Sequence, residues 1–212
     1  SVGRSGWVWA NKIYSHFGIK ENNNYAQFGI RCELNAKTLN YLNNSNITIK
    51  KDDLELGPFS WNGTVIPEDH SSLAISAYRS NEPRWESDKV SFNLLRNIKF
   101  ENNAFEEVER IGNLTFIITN ERILKEKISS IMNGKAAISI MKEYDWLKES
   151  LNQVSEIIPE IINKSYYHVP TITPMAPKVK LNKNFESEKI EGFYIVGESA
   201  GLKGLLSAAL TG

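Results

Sequence analysis

The sequence predicts an α+β fold, and three observations predict it. Short β-rich segments separated by turn residues crowd residues 25–100, the pattern of an antiparallel sheet or small barrel. From residue 104 the apolar period lengthens from two to about 3.6, the mark of helices. Glycine-rich turns stand near both ends of the 212 residues, each against an apolar stretch.

Taken in order, residues 7–17 read as a helix, with Trp9, Ile13 and Phe17 at i, i+4 and i+8 and Gly18 as its stop. Residues 25–34 alternate as a strand, with Phe28, Ile30 and Cys32 on one face and Gln27, Arg31 and Glu33 nearer the other. A short helix over 37–42 follows. Strands are expected at 47–50, 54–59, 61–66, 73–78 and 90–100, with Asn62-Gly63 as a two-residue hairpin signal and Pro67-Glu68-Asp69 as a turn. Phe105, Val108 and Ile111 mark a helix, while residues 114–119 read equally as helix or strand. Residues 123–132 and 145–163 read as further helices. The second turns Leu147, Leu151, Val154, Ile158 and Ile161 inward, and Pro159 kinks or ends it. Residues 169–177 are extended, because three prolines exclude helix. A buried parallel strand at 193–196 and a helix over 199–211 close the chain.

Charge and cysteine content narrow the function classes. Twenty-five basic and twenty-five acidic side chains cancel, which argues against a nucleic acid or an anionic membrane surface held by bulk charge. Cys32 is the only cysteine, so no intramolecular disulfide forms and a thiolate zinc site is not expected. No apolar run reaches the roughly 18 residues of a membrane span. A reducing cytoplasm fits these limits best. The glycine turn at the very start and Gly212 at the end read as a chain cut from something longer.

Few side chains present themselves as catalysts. His16, His70 and His168 are scattered and share no metal-ligand spacing; His168, beside Tyr166-Tyr167 and the proline-rich stretch, is the best of them. Cys32 reads as a core thiol. Trp61, Tyr78, Arg79, Arg84 and Trp85 are a candidate substrate groove, or simple packing. No G-x-S-x-G nucleophile elbow appears.

The closing segment is more informative. The apolar run at 193–196 ends in Gly197-Glu198-Ser199-Ala200-Gly201, a turn with little side-chain bulk. Leu202, Leu205, Leu206 and Ala209 then form an apolar stripe, and Gly201, Gly204 and Ala208 a small-residue face. Glycine inside a helix costs about 1 kcal/mol relative to alanine, so these glycines call for close approach of a ligand or another backbone. A carboxylate such as Glu198, beside a helix N-terminus, accepts hydrogen bonds from a sugar or ribityl hydroxyl, or simply caps the helix.

These residues resemble a known family. Gly197-Glu-Ser-Ala-Gly201, followed by Gly204 and Ser207-Ala-Ala, is similar to the C-terminal signature of FAD-dependent oxidoreductases of the "NAD(FAD)-utilising dehydrogenase" group. Gly3-Arg4-Ser5-Gly6 and Gly29-Ile30-Arg31-Cys32-Glu33 resemble that family's G-R-S-G and G-V-R-x-E segments. Ser91-Phe92-Asn93-Leu94-Leu95 resembles its S-N-F-A-L-L strand, and residues 171–177 lie where it has a Thr/Ser-Pro stretch. The resemblance runs through the chain in order, with specific ends and a looser interior.

The resemblance implies a Rossmann-like FAD-binding domain split by an insertion. Residues 1–24 would end its first part, 25–170 would be the inserted substrate domain, and 171–212 would return to complete the flavin site. FAD would be held by Gly3, Arg4, Ser5, Gly6, Gly197, Glu198, Ala200, Gly201, Gly204, Leu205 and Leu206, with NAD(P)H a candidate electron donor. Two departures stand out. No G-x-G-x-x-G occurs, so the adenine and diphosphate half of the site is expected elsewhere, and the 212 residues alone are expected to bind FAD poorly or not at all. Gly204-Leu205 also stands where the family has two adjacent glycines. The competing class is a non-catalytic binding or interaction module whose glycine turns serve packing.

Overall fold

The computed structural model describes residues 7–19, 21–22, 25–42, 45–70, 73–79, 83–101, 104–174, 178–200, 202 and 209. Along the chain run α1 (Trp7–His16), β1 (Glu21–Asn22), β2 (Tyr25–Asn35), a 3-10 turn (Ala36–Leu42), β3 (Ile49–Lys51), β4 (Leu54–Leu56), β5 (Ser60–Trp61), β6 (Thr64–His70), β7 (Leu73–Arg79) and β8 (Lys89–Lys99). Then come α2 (Ala104–Thr119), β9 (Leu124–Lys127), α3 (Ile128–Met132), α4 (Leu147–Ile157), α5 (Ile161–Lys164), β10 (Tyr166–Pro174) and β11 (Lys178–Val179). The fold is α+β, and every strand pairing whose register is described is antiparallel. Two compact units divide the chain: one from Ser1–Ala26, Lys99–Glu106 and Pro174–Gly212, the other from Gln27–Ile98 and Glu107–Thr173.

In the first unit α1 ends at a Schellman motif. Gly18 adopts φ +60°, the Ile19 amide donates to the Tyr14 carbonyl (2.8 Å) and the Gly18 amide to that of Ser15 (3.0 Å). The inward stripe of α1 differs from the expected one. Ala10 and Tyr14 are buried with Ile19 and Ile195, whereas Trp9 is 61% and Phe17 46% exposed. The i, i+4, i+8 spacing was right, but the buried face is displaced by one residue.

The expected parallel strand at 193–196 is not there. These residues fold back antiparallel on the segment just before them: Glu186 bridges Tyr194, the Ser187 amide donates to the Phe193 carbonyl (2.8 Å) and the Ile195 amide to that of Phe185 (2.9 Å). With its main chain turned to a local partner, the run forms no parallel ladder among the described residues. Gly197–Ala200 is a 3-10 turn, where a helix starting at Ser199 was expected; most residues beyond it lie outside the described set.

The second unit is built on a seven-stranded sheet with the order β3-β4-β8-β2-β10-β9, in which β5 also pairs with β8. β2 buries Phe28, Ile30, Cys32 and Leu34 on one face, and Phe28 packs on the ring of Tyr144 (4.6 Å between centroids). From α4 onward, Leu147, Leu151, Val154, Ile158 and Ile161 are all buried as their spacing requires, and the helix breaks before Pro159.

The strand expected at 54–59 stops at Leu56: Gly57 takes a φ of +119°, outside the strand region, and a Cβ there would sit 2.6 Å from the Ile47 carbonyl oxygen. Asn62-Gly63 is no hairpin turn: Trp61 pairs with Val90 in the large sheet, while Thr64 pairs with Arg79 in a separate β6–β7 hairpin. Gly63 instead permits close approach, since a Cβ there would lie 2.4 Å from the Arg79 carbonyl oxygen. Pro67-Glu68-Asp69 lies inside β6, which tolerates proline because the strand pairs on one side only. Residues 114–119 continue α2, whereas 124–127 are a strand whose alternating burial follows its pairing with β10.

Candidate functional site

Of the expected flavin-contacting residues, Gly3, Arg4, Ser5, Gly6, Gly201, Gly204, Leu205 and Leu206 lie outside the described residues. The backbone of Gly197, Glu198 and Ala200 is described. Gly197 is buried and adopts φ +75°, a conformation that favours glycine, and it turns the chain out of the local ladder into the 3-10 turn. Its carbonyl accepts the Leu202 amide (3.1 Å).

The second unit contains a polar cluster that sequence reasoning did not assemble. Arg31 and Glu33 project from β2 on the face opposite Phe28, Ile30 and Cys32. Glu33 is only 2% exposed. Its Oε1 accepts from Lys125 Nζ (2.5 Å) on β9 and lies 3.2 Å from Lys89 Nζ on β8; its Oε2 lies 3.7 Å from His168 Nε2 on β10. Burial alone would raise the Glu33 pKa, but His168 and Lys125 outweigh it and hold the group down at about 2. His168 is itself buried, and that burial keeps its pKa below the ordinary value despite Glu33. At neutral pH the pair is therefore a carboxylate beside a neutral imidazole. Through Glu33 the cluster links four strands, β2, β8, β9 and β10.

The β6–β7 hairpin covers this face. Ser76 Oγ on β7 is 2.7 Å from Thr171 Oγ1 on β10, and Arg31 reaches Ser76 and Ser91 at 3.4 Å each. Burial lowers the Arg31 pKa to about 10 and raises that of Tyr78 to about 12. The Tyr78 hydroxyl is buried and has no hydrogen-bond partner among the described residues.

The other sequence candidates fare differently. Trp61 is tied by its indole N–H to the Ser45 carbonyl (3.1 Å), Arg79 and Arg84 are exposed, and Tyr78 enters the cluster. His16 is exposed and meets Phe17 edge-on, at 5.1 Å between centroids. Among the described residues no group of three or more His, Cys, Asp or Glu is arranged to hold a metal ion, and no helix is long and apolar enough to cross a membrane. Cys32 is fully buried, and burial pushes its thiol pKa up. It is expected to stay unmodified by a thiol reagent in native buffer and to react only in denaturant; rapid labelling of the native protein would contradict this. No protein-family model matches the chain, and no curated protein matches it.

Proposed function

We propose that the chain is part of an FAD-dependent oxidoreductase of the cytoplasm, comprising an inserted substrate domain and segments of a Rossmann-like FAD-binding domain. In this reading the flavin carries the redox chemistry on a small-molecule substrate, with NAD(P)H a candidate electron donor, and the protein orients the ring and excludes competing reactions. The observation that carries the reading is the Gly197 turn. The residue at the head of the Gly-Glu-Ser-Ala-Gly resemblance has a left-handed backbone, which lets the chain turn sharply with no side chain at that point. The order of the resembling segments along the chain supports it further. The main dinucleotide-binding loop would then lie outside these 212 residues.

The test uses the protein in its full natural length. It is expected to purify yellow, with a flavin absorption spectrum, and the pair Glu198→Ala with Gly204→Val is expected to remove the colour. A colourless protein that takes up no added FAD would sink the proposal and leave the binding-module class. The 212 residues alone are expected to show no tight FAD binding by fluorescence quenching.

A further inference from the structure

A second site lies within the sheet-bearing unit, away from Glu33 and its partners. The β3–β4 hairpin turns through Asp52 and Asp53, with Lys51 paired to Leu54 and Asp52 at φ +53°. Two bonds fix this turn: the Asn97 amide donates to the Asp53 carbonyl (2.7 Å), and Arg96 Nε donates to the Asp53 carboxylate. Across from it stand Trp146, just before α4, and Glu149, Ser150 and Gln153 on α4. Their i, i+3, i+4, i+7 spacing puts them on one helix face. The Trp146 indole is held in place by its N–H bond to the Glu143 carbonyl (2.8 Å). Together these residues line a pocket of about 180 Å³.

The charges of the lining select its ligand. Asp53 is neutralised by Arg96. Asp52 and Glu149 are exposed, and neither takes part in an ion pair among the described residues. Set against Lys51, they leave the lining, which includes Trp146, with net negative charge. An anion would meet uncompensated carboxylates, and a neutral apolar group would strip polar walls of water. We propose that this pocket binds a small organic cation, an alkylammonium group, with Trp146 as its aromatic wall and Asp52 and Glu149 as its counter-charges. The site is independent of the flavin reading.

The test titrates the isotope-labelled full chain with propylammonium chloride and follows backbone amides by NMR. Saturable shifts are expected at residues 52, 149 and 153, with a dissociation constant of about a millimolar, since exposed counter-charges and one indole contribute modestly. Asp52→Asn combined with Glu149→Gln is expected to weaken binding by about fivefold, and high salt to weaken it as well. Both substitutions are at exposed positions, so unchanged shifts elsewhere will report an intact fold. The proposal is overturned if no saturable shift occurs, if the double variant binds as well as the parent, or if isosteric propionate binds the same residues as tightly.

Discussion

Gly29→Ala is expected to destabilise the sheet-bearing unit by about 3 kcal/mol or more, at or beyond the upper end of ordinary overpacking. Gly29 sits in the middle of β2, between β8 and β10 in the strand order. A Cβ there would lie 2.1 Å from the Leu94 carbonyl oxygen and 3.1 Å from the Leu95 Cα, both backbone atoms of β8. No rotamer change relieves such a clash. The two strands must separate, and with them goes packing that leaves Phe28, Ile30, Phe92 and Leu94 with no exposed surface. Gly134→Ala is the control. That residue also has a positive φ, +65°, but nothing lies within 4 Å of its Cβ position, so only backbone strain of about 1–2 kcal/mol is expected. Urea unfolding midpoints of the two variants decide the matter. If Gly29→Ala unfolds no earlier than Gly134→Ala, the close approach of β2 and β8 is not what Gly29 serves.

Where local chemistry decides structure, the sequence could be read directly. Gly18 stops α1, Pro159 breaks the helix behind Ile157, and the apolar spacing of α4 turns Leu147, Leu151 and Val154 inward. Where a segment's partner decides, it could not. Asn62-Gly63 carries a hairpin signal, yet the strands on its two sides belong to different sheets, because Val90 and Arg79 compete successfully for Trp61 and Thr64. The apolar run at 193–196 suits a parallel strand by composition, but Phe185 and Ser187 are nearer at hand and take up its main chain. The candidate sites follow the same division. A turn beginning at Gly197 was legible, since turn chemistry is local. The cluster around Glu33 was not. A strand with charged residues on alternate positions reads as solvent-facing on that side, and burial of Glu33 comes from groups dozens of residues away in sequence, Ser76, Lys125 and His168 among the residues that fill or cover the same face.

That non-local cluster also sets the response of the fold to acid. Glu33→Ala is expected to cost about 3 kcal/mol, toward the low end for breaking a buried ion pair, because Lys125 and Lys89 are about 40% exposed and recover water when the carboxylate is gone. The pH dependence separates charge from packing. Glu33 is held at about 2 in the folded protein, below the ordinary value of about 4.3. Its stabilisation is whole above the ordinary value and is lost as pH falls through about 2, because the unfolded chain takes up the proton first. His168 works in the same direction at a higher pH. Buried and held below its ordinary value of about 6.5, it resists a proton that the unfolded chain accepts, so stability begins to fall once pH drops below about 6.5. The parent protein should therefore lose stability in two stages on acidification. His168→Asn should flatten the first, and Glu33→Gln the second, while retaining most of the packing. Urea midpoints measured from about pH 8 to about pH 3 test both. If the gap between parent and Glu33→Gln is as wide at the acid end as at neutrality, the carboxylate charge is not what holds these strands together.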